Sequence, residues 1–468
     1  MICSRRSKSE TLPKGEADAE GEIHAGGAEA APYGPPFWLA YLGNTLVMTA
    51  VALLFRYADF VTLLGGSELH LGWIVGIGML GSLVARLFLG MAIDRYGVRR
   101  VWLASLLLFV ACCFGHLPVS SCHGFAIYGL RILFCCSLAG AFSASTTFVS
   151  GRAPMVRMAE MIGMLGTSGF IGYVLGTQLG DALCGSQSLA RWQVDRMFLA
   201  AGLLAGAGWL FIWSATRGQA APAPRRHPPM VWLLKRYHPG TVLLVGAAMG
   251  IGLGMPSTFL RTYAAELGIA RIGVFFTVYS LAAIITRVLT RRLPERFGLP
   301  PLILGSMVLL LVNQLAFLVV RSEWMLALPG AGYGIAHAIL FPTTVALGSG
   351  AFPNRYRGLG TTVMLACYDF GLLVGAPIAG WIVHASGSLG LAGYPAMFLS
   401  LSTMLAVVAA AFAFSSWQAR RRRPWSAAAD HRALECGDSS PLSPLGLRRP
   451  RAALPAREVR RASGAERQ

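Results

Sequence analysis

Charge is scarce in this chain. Asp, Glu, Lys and Arg make up 13% of its 468 residues, where a soluble domain runs near a quarter. That scarcity excludes an ordinary soluble enzyme and a disordered polar chain. Acidic residues are scarcer still, 21 against 40 Lys and Arg. Other devices are missing altogether. No Gly-Lys-Ser/Thr loop is present, so direct ATP-driven work is excluded. No Cys-x-x-Cys or His-Glu-x-x-His appears, so no metal site and no cofactor is expected. No nucleophile–base constellation stands out, and the chain is not read as an enzyme. The first 36 residues are polar, with no early apolar run, and predict no cleavable signal peptide.

What is abundant is hydrophobic length. Apolar residues are 55% of the chain and come in blocks of about 20, the length that spans a bilayer as a helix. Six blocks fall at 37–57, 71–93, 101–118, 125–149, 161–180 and 197–215. Six more fall at 240–261, 272–290, 301–320, 324–347, 358–384 and 395–416. They are apolar on every face. Barrel strands would alternate, so helices are predicted. The organisation expected is a disordered N-tail (1–36), a first six-helix bundle (37–215), a central loop (216–239), a second bundle (240–416) and a basic disordered C-tail (417–468).

The net charge of +19 invites a nucleic-acid reading, but the positions of the charges argue for topology instead. With the N-terminus placed inside, thirty-one of the forty Lys and Arg fall in inside segments, four in outside loops and five within spans. That is the positive-inside rule. It predicts a multi-pass protein of the plasma (inner) membrane with both termini cytoplasmic. Of the nine cysteines, Cys122 and Cys184 fall in predicted outside loops, where pairing stays open.

The two halves repeat. Arg86-Leu-Phe-Leu-Gly90-Met-Ala-Ile-Asp94-Arg95-Tyr-Gly97 follows span two. Arg287-Val-Leu-Thr-Arg-Arg-Leu-Pro-Glu295-Arg296-Phe-Gly298 follows span eight, 201 residues on. Arg56 and Arg261 stand near the outer ends of spans one and seven. Gly172 and Gly176 in span five match Gly371 and Gly375 in span eleven. Two six-span halves of equal polarity form a parallel repeat, which rocks around a site at its interface.

The run Gly90, Asp94, Arg95, Gly97, Arg99, Arg100 resembles the loop between helices two and three of the major facilitator superfamily (MFS) of transporters, and the second copy is weaker, as is usual there. The resemblance covers roughly 37–416. It implies an all-α integral membrane fold of twelve transmembrane helices in two pseudo-symmetric six-helix bundles. It also implies alternating access for a small solute. Independently of the family, Gly97 permits a tight turn, and Asp94 at a helix end can pair with Arg or a helix N-terminus. Such contacts suit a cytoplasmic gate, with Arg86 and Arg287 near the inner ends as braces.

Ionisable residues in spans are costly and mark function by default. Asp369, preceded by Tyr368, lies near mid-depth of span eleven, as either a proton site or a structural carboxylate. His337 is at similar depth in span ten. Arg131 resembles the helix-four Arg of the family, sometimes linked to proton coupling, although Cys135 stands where a Gly is usual. It is also shallow enough to snorkel. Arg56 and Arg261 sit where snorkelling is favoured. If they face the cavity they favour an anionic substrate. Asn44 is the preferred cavity liner, because helix one lines the cavity in the family. Span-five glycines Gly163 to Gly180 resemble the glycine-rich helix-five motif associated with antiporters in the family, although Thr177 follows Gly176 where a Pro is usual, and their spacing equally suits tight packing. The expected function is secondary active transport of a small organic solute, proton-coupled, open between efflux and uptake of an organic anion. The alternative is a non-transporting sensor or scaffold on the same fold. Expected partners are solute, protons and lipid, with no nucleic acid, and the chain is expected to be monomeric.

Overall fold

The computed structural model describes residues 33–152, 158–184, 190–218, 235–290, 292–353 and 357–434. Most of the expected N-tail, central loop and the tail beyond 434 lie outside the described residues. All described secondary structure is helical. The first half holds α1 (Pro35–Leu53), α2 (Tyr57–Leu63), α3 (Glu68–Tyr96), α4 (Val98–Gly115), α5 (Phe125–Ser150), α6 (Met158–Cys184) and α7 (Arg191–Ala215). The second holds α8 (Val242–Glu266), α9 (Gly273–Leu289), short α10 (Leu293–Phe297), α11 (Leu299–Ala316), α12 (Ala327–Ser349), α13 (Arg357–Ser388) and α14 (Gly393–Leu434). A 3-10 turn, Leu54–Arg56, joins α1 to α2 into one run.

Ten of these helices or runs are long and apolar enough to cross a membrane among the described residues, and α9 is a shorter apolar helix. With α6, at 27 residues, every one of the twelve apolar blocks becomes a helix. The ends differ from expectation. The first block continues past 57 to Leu63. The last helix runs on to Leu434, into the expected disordered tail. Ala, Arg and Gln after Trp417 are good helix formers, so the backbone does not stop where the hydrophobicity does.

The repeat is written into the packing. In the first half α1 packs on α6, α3 on α5, and α4 on α5 and α7; in the second α8 packs on α13, α9 on α12, and α11 on α12 and α14. The halves meet along α3 with α13 and along α6 with α9. These two seams are one another's counterparts in the repeat. We call the end carrying Pro35 and the C-terminal end of α14 the tail side, and the opposite end the far side.

Glycine sets how closely the helices approach. A Cβ on Gly371 would meet the carbonyl of Ala247, and one on Gly172 would meet the backbone of Met48 at 2.7 Å. Both contacts link residues of the same repeat register. Gly97 and Gly298 each turn the chain with positive φ, 83° and 76°, and each caps the following helix. The tight turn read from the sequence is therefore present in both copies. Gly163 faces open space. Gly371→Val is expected to destabilise the detergent-purified protein by about 1–3 kcal/mol through overpacking, while Gly163→Ala should leave its melting temperature unchanged or raised.

Candidate functional site

Three groups of side chains tie the two halves together. The first lies at mid-depth. Asp369 is twelve residues into α13 and Arg86 ten residues from the end of α3, so both lie ~15–18 Å from the tail side at the helical rise. Arg86 Nε donates to Asp369 Oδ2 at 2.6 Å, and Ser82 Oγ donates to the same oxygen. Both charged side chains are more than nine-tenths buried. Asp369 is thus a carboxylate in the membrane interior with its counter-charge on the other half. Arg86, expected to brace the tail-side gate, is instead its partner. Tyr368 points elsewhere, towards Phe341, ring centroids 6.3 Å apart, since neighbouring helix positions face different directions.

The second group closes the far side. Arg56 Nε donates to Asp59 Oδ2 at 2.8 Å, and its Nη1 donates to Asp181 Oδ1 at 2.7 Å. Arg261 Nε forms an ion pair with Asp59 Oδ1 at 2.8 Å. Asp181 Oδ2 accepts the Gly273 N–H at 2.6 Å, and Arg56 Nη2 donates to the Cys184 carbonyl. Two arginines and two aspartates neutralise one another across α1–α2, α6, α8 and the start of α9. The expected snorkelling of Arg56 and Arg261 is overturned: they are 1% and 8% exposed. Their partners lie just beyond the predicted span ends at 57 and 180, where Asp59 and Asp181 read as loop. The i,i+3 spacing of Arg56 and Asp59 was the available signal.

The third group is aromatic. Phe170 and Tyr173 of α6 face Phe276 and Tyr279 of α9, with Tyr173 and Tyr279 stacked at 6.1 Å. Phe55 of the 3-10 turn adds a ring to Phe276 at 4.8 Å. His337 Nδ1 is hydrogen-bonded to the Tyr279 hydroxyl, and its ring lies 5.9 Å from Phe170. Arg287 of α9 lies over the Phe170 ring at 4.8 Å. His337 and Asp369 each have a different partner, Tyr279 and Arg86.

The remaining candidates stay within the first half. Arg131 does not snorkel; it lies over Tyr57 at 4.5 Å and Phe134 at 4.9 Å. Asn44 donates to Ser168 Oγ at 2.7 Å, joining α1 to α6. Cys122 and Cys184 are free thiols, not a disulfide. Cys122 Sγ lies 3.2 Å from His123 Nδ1, and Cys184 Sγ donates to the Gln193 carbonyl.

A family model for the Major Facilitator Superfamily matches residues 37–274 and 242–462. The chain belongs to that superfamily. Among curated relatives, the staphylopine export protein of Staphylococcus aureus is 26% identical over 174 residues, 36% of this chain and 41% of that protein. The chain therefore spans well under half of that relative's length. An MFS-type transporter of Gibberella moniliformis is 23% identical over 337 residues, 67% of this chain and 75% of its own. A D-xylose–proton symporter structure aligns with a TM-score of 0.63 and 17% identity, covering 81% of this chain and 96% of that one. A human organic anion transporter aligns with a TM-score of 0.57 and 19% identity, over 81% and 99%. At those identities the likeness to solved structures is one of fold. The family match, with ten helices or runs of membrane-spanning length among the described residues, makes this chain a multi-pass membrane protein.

The superfamily motif sits at the tail-side end of α3. Asp94 is half-buried, and Gly90, Arg95 and Arg100 are exposed. Arg95 lies over its neighbour Tyr96, and Arg99 donates to the Thr216 carbonyl at 3.4 Å. Glu295 and Arg296 of the second copy are exposed on α10.

The far-side network generates a direct expectation. Asp59→Asn leaves Arg56 with Asp181 alone and Arg261 with no carboxylate partner, and breaking a buried pair costs about 3–5 kcal/mol. A clear fall in melting temperature in detergent is expected. Unchanged stability would remove the network as a structural tie.

Proposed function

We propose that the chain is a secondary active transporter that moves a small organic solute by alternating access and couples it to protons through Asp369. The observation that carries this reading is the Arg86–Asp369 pair, a buried charge pair whose two members belong to different halves. Protonating Asp369 removes its negative charge and so weakens the tie to Arg86. Proton occupancy then biases how the halves sit against each other. A ligand shifts such an equilibrium only by its differential affinity for the two states, and a carboxylate that is paired in one state and released in the other supplies that difference for the proton.

The family supports a transport role. The D-xylose–proton symporter among the structural neighbours is a precedent for proton coupling on this fold. Candidate solute-facing groups in this proposal are His337, Tyr368, Arg131 and Asn44. The tail-side motif from Gly90 to Arg100, with Glu295, Arg296 and Gly298, is assigned to the gate. Arg excess in the tail-side segments supports cytoplasmic termini and a plasma-membrane setting.

The test is flux in proteoliposomes under an imposed pH gradient, screened with sugars, nucleosides and organic anions. Asp369→Asn should abolish gradient-driven accumulation while solute exchange survives. Wild-type coupling in that variant would remove Asp369 from the mechanism. Solute running opposite to the proton flow marks an exporter; solute running with it marks a symporter.

A further inference from the structure

The repeat places two arginines in equivalent positions, but only one has a counter-ion. Arg86 on α3 and Arg287 on α9 are 201 residues apart, and each lies on a seam between the halves. The helices facing them are also repeat partners. Gly172 packs on Met48 and Gly371 on Ala247, so residues 199 apart occupy matching places on α6 and α13. That register makes Phe170 the counterpart of Asp369. Arg86 meets Asp369 at 2.6 Å; Arg287 meets the Phe170 ring at 4.8 Å. Where one copy has a carboxylate, the other has a phenyl ring.

Arg287 is left without an anion. No carboxylate forms an ion pair with it among the described residues. Its Nε is buried with no hydrogen-bond partner, while the side chain as a whole is half-buried. A ring face compensates a desolvated guanidinium only partly, and a charge at membrane depth calls for more. Arg131 is also ring-bound, but both of its rings belong to the first half. Of these two ring-bound arginines, Arg287 is the one that stands between the halves, at a cluster of flat side chains: Phe170, Tyr173, Tyr279 and His337.

We propose that Arg287 is the receptor for the anionic group of the transported solute, an organic anion with a flat apolar body that lies against the Phe170–Tyr173–Tyr279 rings. The guanidinium offers paired donors to a carboxylate or sulfonate, and the rings give offset-stacking partners for a planar body. The bound anion supplies the charge that Asp369 supplies in the other copy, so solute and carboxylate neutralise equivalent seams. This inference rests on the transporter reading and names its substrate class.

The probe is radiolabelled benzenesulfonate, which stays charged and crosses lipid poorly, bound to the purified full-length chain in detergent. Saturable binding is expected, with neutral benzenesulfonamide competing at least tenfold more weakly. Arg287→Gln should lower affinity at least tenfold. Phe170→Asp installs the missing carboxylate and should weaken binding at least tenfold more than Phe170→Asn, which removes the ring without adding a charge. If Arg287→Gln fails to give a monodisperse protein, the Phe170 pair decides. The proposal is overturned by absent saturable binding to the wild type, by wild-type affinity in Arg287→Gln, or by equal losses in Phe170→Asp and Phe170→Asn. Binding without flux of any solute rejects the transport reading and keeps the site. Flux of other solutes without benzenesulfonate binding rejects the site and keeps the reading.

Discussion

A charge carried into hydrocarbon must find a counter-charge, and this constraint organises the molecule. Five arginines fall within the predicted spans. Arg56, Arg86 and Arg261 are neutralised by Asp59, Asp181 and Asp369. Arg131 and Arg287 rest on aromatic faces. The counter-charges are seldom on the same helix as the arginine they serve. They reach across helices and, in the cases that matter most, across the two halves. Electrostatic neutrality and the docking of the bundles are therefore one requirement.

The duplication supplies the frame on which those charges diverged. The same helix pairs touch in each half, and glycines hold the same approaches at matching positions. Packing is preserved because a backbone-to-backbone contact tolerates no side chain. Chemistry is not preserved. Arg86 and Arg287 share a place in the repeat, yet one faces a carboxylate and the other a ring. A symmetric scaffold thus carries an asymmetric pair of seams, one internally neutral and one with an unspent positive charge.

Much of the fold was legible in the residues. Twelve apolar blocks gave twelve helices, and Gly97 gave the turn expected of it, because span length and a positive φ are local properties. Parts of the site were legible too. Asp369 stood out as a charge where lipid forbids it, and Arg56, Arg86 and Arg261 as charges near the ends of spans. Asp59 and Asp181 did not, because a boundary drawn a few residues early turns a buried carboxylate into a loop residue. Arg56 and Arg261 looked free to snorkel for the same reason. The last helix continued past its apolar block because helix propensity and hydropathy end at different places.

By itself the amino-acid sequence determined the number of rods, their two-fold repeat and the positions of their costly charges, since each of these follows from short stretches of chain. Only the tertiary structure decided who neutralises whom. Arg86 and Asp369 are separated by 283 positions, and Arg56 and Asp181 by 125. Which residues meet depends on the rotation of each helix about its axis, and that rotation is set by glycine contacts and ring packing distributed over the whole bundle.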